Sequence, residues 1–72
     1  MKTRLRDLRE DKDLSQKHIA EMLQIHQTTY SDYELDKLNV PADVLVKLAK
    51  FYNTSVDYIL FVTDTPIPYS KN

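Results

Sequence analysis

The chain is 72 residues long with a net charge of −1, and it contains no cysteine and only two histidines. Its length allows one small domain, which buries only about 60% of the surface that the unfolded chain exposes. The composition excludes disulfides and thiolate metal sites, and no apolar run approaches the roughly 20 residues that span a bilayer, so we expect a cytoplasmic protein.

Five helices are predicted along the chain, and no segment has the pattern of a sheet. The first spans about residues 2 to 12, where Leu5 and Leu8 lie on one stripe among charged side chains. The second spans about residues 16 to 23. Ser15 is well placed as its N-cap, because a serine hydroxyl can accept one of the free N–H groups there.

The third helix is predicted over about residues 27 to 35, after a tight corner at residues 24 to 26. Its inward face is expected to consist of Tyr30, Tyr33 and Leu35, while its other side chains are mainly polar. Two short helices joined by a tight corner are the arrangement with which small domains place the second helix in the DNA major groove. Function is therefore expected on the outer face of the third helix.

The last two helices are predicted from an apolar stripe and a second serine cap. Pro41 is expected to open the fourth helix, because its missing N–H is not needed in the first turn. Ser55 is predicted to cap a fifth helix over about residues 56 to 61. A domain of residues 1–62 is then followed by a tail, residues 63–72, which carries two prolines and is expected to be extended or disordered.

The sequence contains no glycine, although helix-to-helix corners often need a residue with a left-handed backbone. Gln24, Asp36 and Asn53 are predicted to occupy such positions. Asn and Asp tolerate that conformation better than Gln does. Replacing Gln24 with glycine is therefore expected to stabilise the protein.

Three segments together resemble a known family. They are LREDKDLSQKHIAEML, IHQTTYSDYE and VPADVLVKLAKFYNTSVDYIL. In this order and spacing, they resemble the helix-turn-helix domain of the phage repressor and Cro-type (Xre-like) bacterial transcription regulators, over about residues 4 to 61. The resemblance implies an all-α, compact five-helix repressor-like fold with the helix-turn-helix at helices 2 and 3. It also implies a sequence-specific transcription regulator, and a repressor rather than an activator.

The resemblance assigns roles to two glutamines. Gln16 matches a residue that contacts phosphate and braces the third helix, and Gln27 matches one that reads adenine. A glutamine amide presents one donor and one acceptor, the complement of adenine N6 and N7 in the major groove. Further candidates for base contact are Thr28, Ser31, His26 and Asp32. The alternative is that these polar side chains only solvate a surface helix.

Phosphate contacts are expected from basic or polar residues beside the third helix. Lys17 lies at the start of the second helix, where free N–H groups also point outward. Lys37 and Asn39 lie in the connection after the third helix. Each lysine is equally compatible with an ordinary solubilising role. Asp32 would repel phosphate, although its carboxylate could accept a hydrogen bond from cytosine N4.

The resemblance also implies a partly buried ion pair between Arg9 and Glu34, which would orient the third helix on the first. Removing one partner of such a pair strands the other charge, at a cost of about 3–5 kcal/mol. The alternative is that Arg9 is free to contact a phosphate and that Glu34 lies on a solvated face.

A homodimer on an operator in double-stranded DNA is expected, because two subunits compensate for modest affinity per monomer. The predicted seam consists of apolar side chains on the last helix and the tail, namely Tyr58, Phe61, Val62, Ile67 and Tyr69. The alternative is that Phe61 and Ile67 fold back onto their own domain.

Other functions are less well supported by the sequence. It has no cysteine nucleophile, no glycine-rich phosphate loop and no histidine pair at metal-ligand spacing, so no enzyme, cofactor or metal is predicted. The alternative function is a protein-binding module on the same fold, either an antitoxin or an adaptor. The five tyrosines would suit a protein partner. Burial of Tyr30 and Tyr33 would weaken that alternative.

Overall fold

The computed structural model describes residues 1–68, and its regular structure consists of five α-helices. They are α1 (Leu5–Asp11), α2 (Gln16–Leu23), α3 (Gln27–Glu34), α4 (Ala42–Phe51) and α5 (Val56–Ile59). The described part of the chain contains no strand, so the predicted all-α fold is confirmed. Within residues 1–68, no helix has the length and hydropathy needed to cross a membrane.

Two serine caps fix where helices begin. Ser15 and Ser55 both have an extended backbone, and each hydroxyl accepts the N–H of the residue three positions later at 3.0 Å. Both predicted N-caps are therefore confirmed. Replacing such a cap with alanine typically costs about 1 kcal/mol.

Three helix ends differ from the prediction. α1 begins at Leu5 and not at residue 2, because the backbone N–H of Arg4 donates to the carbonyl of Ile59 at 2.9 Å and holds the first residues against α5. Pro41 lies one residue before α4 with ψ of 150°, so it precedes the first turn instead of occupying it. α5 ends at Ile59 because the chain turns at Phe61.

The core lies where all five helices meet. Each helix contributes one large, fully buried side chain, namely Leu5, Ile19, Tyr30, Leu48 and Ile59. Tyr33 is also buried, but Leu35 is 56% exposed, so its predicted inward position is wrong. Leu35 follows the last residue of α3. A helix turns about 100° per residue, so a position two residues after Tyr33 faces the opposite side.

All five helices end in the same kind of turn. Within two residues of each helix end, one residue has a positive φ between 54° and 64°, namely Asp13, Gln24, Asp36, Asn53 and Phe61. The next residue donates its N–H to the carbonyl five positions earlier, at 2.8 to 3.1 Å, which is the bond of a Schellman motif. The three predicted left-handed positions are confirmed. Asp13 and Phe61 were not predicted, and Phe61 is unusual because bulky residues rarely adopt this backbone.

The described part of the tail, residues 63–68, is irregular and lies against the domain. Arg4 Nη2 donates to the carbonyl of Thr63 at 3.2 Å and to the carboxylate of Asp64 at 2.8 Å. The hydroxyl of Thr54 donates to the carbonyl of Pro66. Tyr69, which was predicted to join the dimer seam, lies outside the described residues.

Candidate nucleic-acid interface

A polar concavity of about 300 Å³ lies between the start of α2 and the outer face of α3. Gln16, Gln27, Thr28 and Ser31 line it and form what we call the polar cup. All four were candidates from the sequence, and the structure brings them together. Gln27 and Thr28 are exposed, whereas Gln16 and Ser31 are half-buried. The polar cup therefore offers amide and hydroxyl groups, and no formal charge, to a ligand.

The two tyrosines of α3 orient the polar cup toward solvent. Tyr30 is fully buried and Tyr33 nearly so, and their rings meet edge to face with centroids 6.4 Å apart. By the helical period, Thr28 lies opposite Tyr30 and Ser31 lies opposite Tyr33, while Gln27, the first residue of α3, lies at the edge of this outer face. His26 has the extended backbone of an N-cap but makes no side-chain capping bond. It is exposed and does not line the polar cup.

An ion pair lies beneath α3. Arg9 Nε donates to Glu34 Oε2 at 2.7 Å, and Arg9 Nη2 donates to Glu34 Oε1 at 3.0 Å. Arg9 Nη1 also donates to the carbonyl of Leu14 at 2.8 Å. The Arg9 side chain is 13% exposed and that of Glu34 only 3%. This two-pronged contact fixes the end of α3 against α1, since a bidentate pair adds geometric specificity as well as energy.

Gln16 connects the ion pair to the polar cup. Its Nε2 donates to Glu34 Oε1 at 3.1 Å, so one carboxylate joins α1, α2 and α3. Burial alone would raise the pKa of Glu34, but the hydrogen bonds from Arg9 and Gln16 and the charge of Arg9 outweigh it and lower that pKa. The hydrogen bond to Glu34 is the main cause that raises the pKa of Arg9. Both groups are therefore charged at neutral pH.

A match to a protein-family model, which extends along nearly all of the helical part of the chain, decides the family. A family model described as helix-turn-helix matches residues 5–59, from the first residue of α1 to the last of α5. The chain belongs to the helix-turn-helix family. The pair α2–α3, with the polar cup on its outer side, is the unit that gives the family its name.

Three curated relatives of this helix-turn-helix chain are named as transcriptional regulators or repressors. It is 45% identical over 65 residues to the HTH-type transcriptional regulator YobD of Bacillus subtilis (strain 168), covering 90% of this chain and 58% of YobD. It is 40% identical over 57 residues to the HTH-type transcriptional regulator ImmR of the same strain, covering 79% of this chain and 45% of ImmR. It is 31% identical over 65 residues to the cryptic phage CTXphi transcriptional repressor RstR of Vibrio cholerae, covering 90% of this chain and 59% of RstR.

These relatives confirm the resemblance to phage repressor and Cro-type regulators. The chain spans about half the length of the curated relatives it matches. No solved structure gives a significant match.

Two tyrosine hydroxyls lie buried beneath the helix-turn-helix, and the sequence did not reveal them. Neither the Tyr30 hydroxyl nor the Tyr52 hydroxyl makes a hydrogen bond that meets ordinary geometry within residues 1–68. Burial, reinforced by the charge of Glu34, raises the pKa of Tyr30 strongly and that of Tyr52 to about 12. The only signal in the sequence is that tyrosine, and not phenylalanine, occupies these inward positions.

The other candidates surround the polar cup without lining it. Lys17 is exposed in the first turn of α2, and Lys37 and Asn39 are exposed in the connection between α3 and α4. Asp32 is half-buried, and its backbone carbonyl accepts the N–H groups of Lys37 at 2.9 Å and Leu38 at 3.3 Å. These bonds close the turn that presents the connection beside α3.

Apolar side chains are exposed in the same connection. Leu35 is 56% exposed and Leu38 is 44% exposed. Leu35 was predicted to face the core, so this exposed apolar surface was not expected from the sequence. The surface beside the helix-turn-helix is therefore partly apolar.

The residues of the predicted dimer seam differ in how exposed they are. Val62 and Ile67 are each 70% exposed, and Phe61 is 42% exposed. Tyr58 is half-buried, because the guanidinium of Arg4 lies 4.3 Å from its ring centroid and 4.1 Å from that of Phe61. Tyr58 therefore serves its own domain, Phe61 does so in part through the same arginine, and Val62 and Ile67 remain largely exposed.

Proposed function

We propose that the chain is a sequence-specific DNA-binding transcription regulator of the repressor type, which inserts α3 into the major groove of an operator in the cytoplasm. The observation that carries this proposal is the polar cup, a set of neutral hydrogen-bonding groups on the outer face of a helix whose inner face is anchored in the core. The names of ImmR and RstR, a regulator and a repressor, support the same function.

In this proposal, base edges are read by the exposed end of α3. The major groove is about 12 Å wide and admits an α-helix. The Gln27 amide donates to adenine N7 and accepts from adenine N6, while Thr28 and Ser31 contact neighbouring base edges. Gln16, held by Glu34, sits at the rim of the polar cup and contacts phosphate. The ion pair fixes the angle at which α3 leaves the domain.

Phosphates are neutralised mainly by exposed lysines beside the polar cup. Lys17 and the free N–H groups at the start of α2 face one strand, and Lys37 and Asn39 face the other side of the groove. Each phosphate neutralised adds about −0.9 to the slope of log affinity against log salt. Two lysines in each of two protomers then give a slope of about −3.6.

Two copies bind together in this proposal. The exposed apolar side chains of Phe61, Val62 and Ile67 pair with those of the second copy, and two α3 helices reach successive major grooves about 34 Å apart. Occupation of the operator then blocks transcription. In this proposal, the described residues carry both the surface that reads DNA and the surface that pairs the two copies.

A second candidate is the protein-binding module, an antitoxin or an adaptor. The exposed Leu35 and Leu38 favour it, because apolar side chains beside α3 suit a protein partner. Burial of Tyr30 and Tyr33 removes the tyrosines of α3 from that surface. DNA binding is therefore the better-supported function.

Selection of bound sites from a pool of random duplexes tests the proposal. We expect one enriched motif with two half-sites, and the Gln27→Ala variant should lose preference at one base pair while its binding to unselected DNA is unchanged. The Lys47→Ala variant, which removes an exposed charge on α4, is the matched control and should keep the motif. A pool without an enriched motif would refute the proposal.

A further inference from the structure

We infer that Arg4 is a positioning residue for the pairing of two copies. It holds the C-terminal strap, residues 61–68, against α1 and α5, and so keeps Val62 and Ile67 in place for a second copy. This inference rests on the proposed function and names the residue that organises its pairing surface. It follows from how the strap is attached and from which of its side chains remain exposed.

The guanidinium of Arg4 is the centre of the attachment. Its Nε donates to the carbonyl of Tyr58 in α5 at 2.7 Å. Its Nη2 donates to the carbonyl of Thr63 at 3.2 Å and to the carboxylate of Asp64 at 2.8 Å. The guanidinium carbon also lies 4.3 Å from the ring centroid of Tyr58 and 4.1 Å from that of Phe61. One planar group therefore joins the N-cap of α1, the end of α5 and the strap.

The far part of the strap is attached through side chains. The backbone N–H of Thr63 donates to the carbonyl of Asp57 at 3.4 Å. Beyond Thr63, and within residues 1–68, two side chains supply the hydrogen bonds between the strap and the rest of the domain. They are Arg4 and Thr54, whose hydroxyl donates to the carbonyl of Pro66. Removing either side chain should therefore loosen the strap.

The backbone of Phe61 shows that the chain enters the strap under constraint. Its φ is 64°, a value that bulky residues rarely adopt. Such a conformation persists where the surrounding structure fixes it. Here the ring lies against Arg4, and Lys2 Nζ is 5.4 Å from the ring centroid. The contacts of the ring with these two cations help to fix the direction of the strap.

The strap carries the most exposed apolar side chains of the described residues. Val62 and Ile67 are each 70% exposed. Neither belongs to a helix, so their positions depend on the attachment of the strap. A segment that is ordered before association binds more tightly than one that must be ordered on association. The attachment by Arg4 therefore favours pairing.

Lysine should not replace arginine at this position. The planar guanidinium donates through a fork and stacks on aromatic rings, whereas an ammonium is a compact point charge. Arg4→Lys therefore loses the fork and the stacking but keeps the charge. Any loss of DNA binding in this variant then cannot come from a change in net charge.

The alternative is that Arg4 only stabilises the domain, because it caps a carbonyl at the end of α5. A purely structural role would weaken binding to every DNA duplex alike. A positioning role weakens only the binding that needs two copies. The two roles are therefore separated by comparing one half-site with two.

The test uses two labelled duplexes from the motif selected from random DNA, one with both half-sites and one with a single half-site. Fluorescence anisotropy measures both affinities. Arg4→Lys should bind the two-half-site duplex about tenfold more weakly or worse, because several strap residues in each copy must be ordered again. Its affinity for the single half-site should change less than about twofold.

Arg6→Lys is the matched control. Arg6 lies in α1, its side chain is 67% exposed, and it pairs with Glu10 at 3.3 Å. This variant should leave both affinities unchanged. The ¹⁵N heteronuclear NOE of the Thr65 and Ile67 amides reports the order of the strap, and it should fall in Arg4→Lys but not in Arg6→Lys.

Two results would overturn the inference and leave DNA reading by α3 standing. One is a strap that stays ordered in Arg4→Lys. The other is a released strap with an unchanged ratio of the two affinities. A wild type that binds both duplexes equally would refute the pairing of two copies, and the inference with it. A pool with no enriched motif would refute the proposed function as a whole.

Thr54→Val tests the inference if Arg4→Lys does not fold. Valine matches threonine in shape, so this variant removes the hydrogen bond to the carbonyl of Pro66 and leaves the contacts of Arg4 in place. The ratio of the two affinities should fall in the same direction, by a smaller factor. A folded Thr54→Val protein with a released strap and an unchanged ratio would equally overturn the inference.

Discussion

The largest predicted loss of stability concerns the ion pair between Arg9 and Glu34. A chain of 72 residues, at about 0.05–0.15 kcal/mol per residue, has a free energy of unfolding of about 4–11 kcal/mol. Removing one partner of a buried pair costs about 3–5 kcal/mol, because the remaining charge is left without compensation. Either single substitution therefore removes a large part of the total stability.

The two single variants should differ in how much free energy of unfolding they lose. Glu34 is 3% exposed, so Arg9→Met strands its carboxylate in the interior and should cost the full amount. Arg9 is 13% exposed and keeps its bond to the carbonyl of Leu14, so Glu34→Leu should cost less. A long arginine side chain can also carry its charged end toward water.

The double variant, Arg9→Met with Glu34→Leu, completes the cycle. It should be more stable than the sum of the single losses predicts, with a coupling energy of at least about 1 kcal/mol. Urea unfolding followed by circular dichroism at pH 7 and 25 °C measures all four proteins. Strictly additive losses would refute the reasoning, because they would mean that neither charge depends on the other.

Three further predictions follow from the same structure. Because the folded pKa of Glu34 is lowered, its contribution is fully present above the unfolded carboxyl value of about 4.3 and is lost as the pH falls through the folded value. The free energy of unfolding should therefore fall more steeply with acid in the wild type than in Glu34→Gln, and parallel curves would contradict this. Gln24→Gly should raise the melting temperature by several degrees, since a left-handed non-glycine residue costs about 1 kcal/mol, whereas an unchanged or lower value would count against it. Lys17→Ala should reduce the slope of log affinity against log salt by about 1, while Lys47→Ala should leave it unchanged; equal slopes in the two variants would remove Lys17 from the phosphate contacts.

The features that depend on local spacing were predictable from the sequence. The positions of the five helices follow from apolar periodicity. Ser15 and Ser55 predict where two of the helices begin, because a serine cap acts within one turn. The shared outer face of Gln27, Thr28 and Ser31 follows from the helical period. These inferences need no knowledge of distant residues.

The features that depend on residues far apart in the chain were not predictable in this way. α1 starts late because Arg4 meets Ile59, and Phe61 takes a left-handed backbone beside the same arginine. The meeting of Gln16 with Glu34 depends on the angle between α2 and α3, which spacing alone does not set. The buried hydroxyl of Tyr52 near that site depends on how α4 packs.

The central claim is that the outer face of α3 enters the duplex. A titration of the ¹⁵N-labelled protein with its selected operator, followed by NMR, tests it most directly. We predict that the side-chain amide of Gln27 and the backbone amides of Thr28 and Ser31 shift more than those of the exposed residues of α4. Shifts confined to Leu35 and Leu38, or absent from α3, would contradict the account.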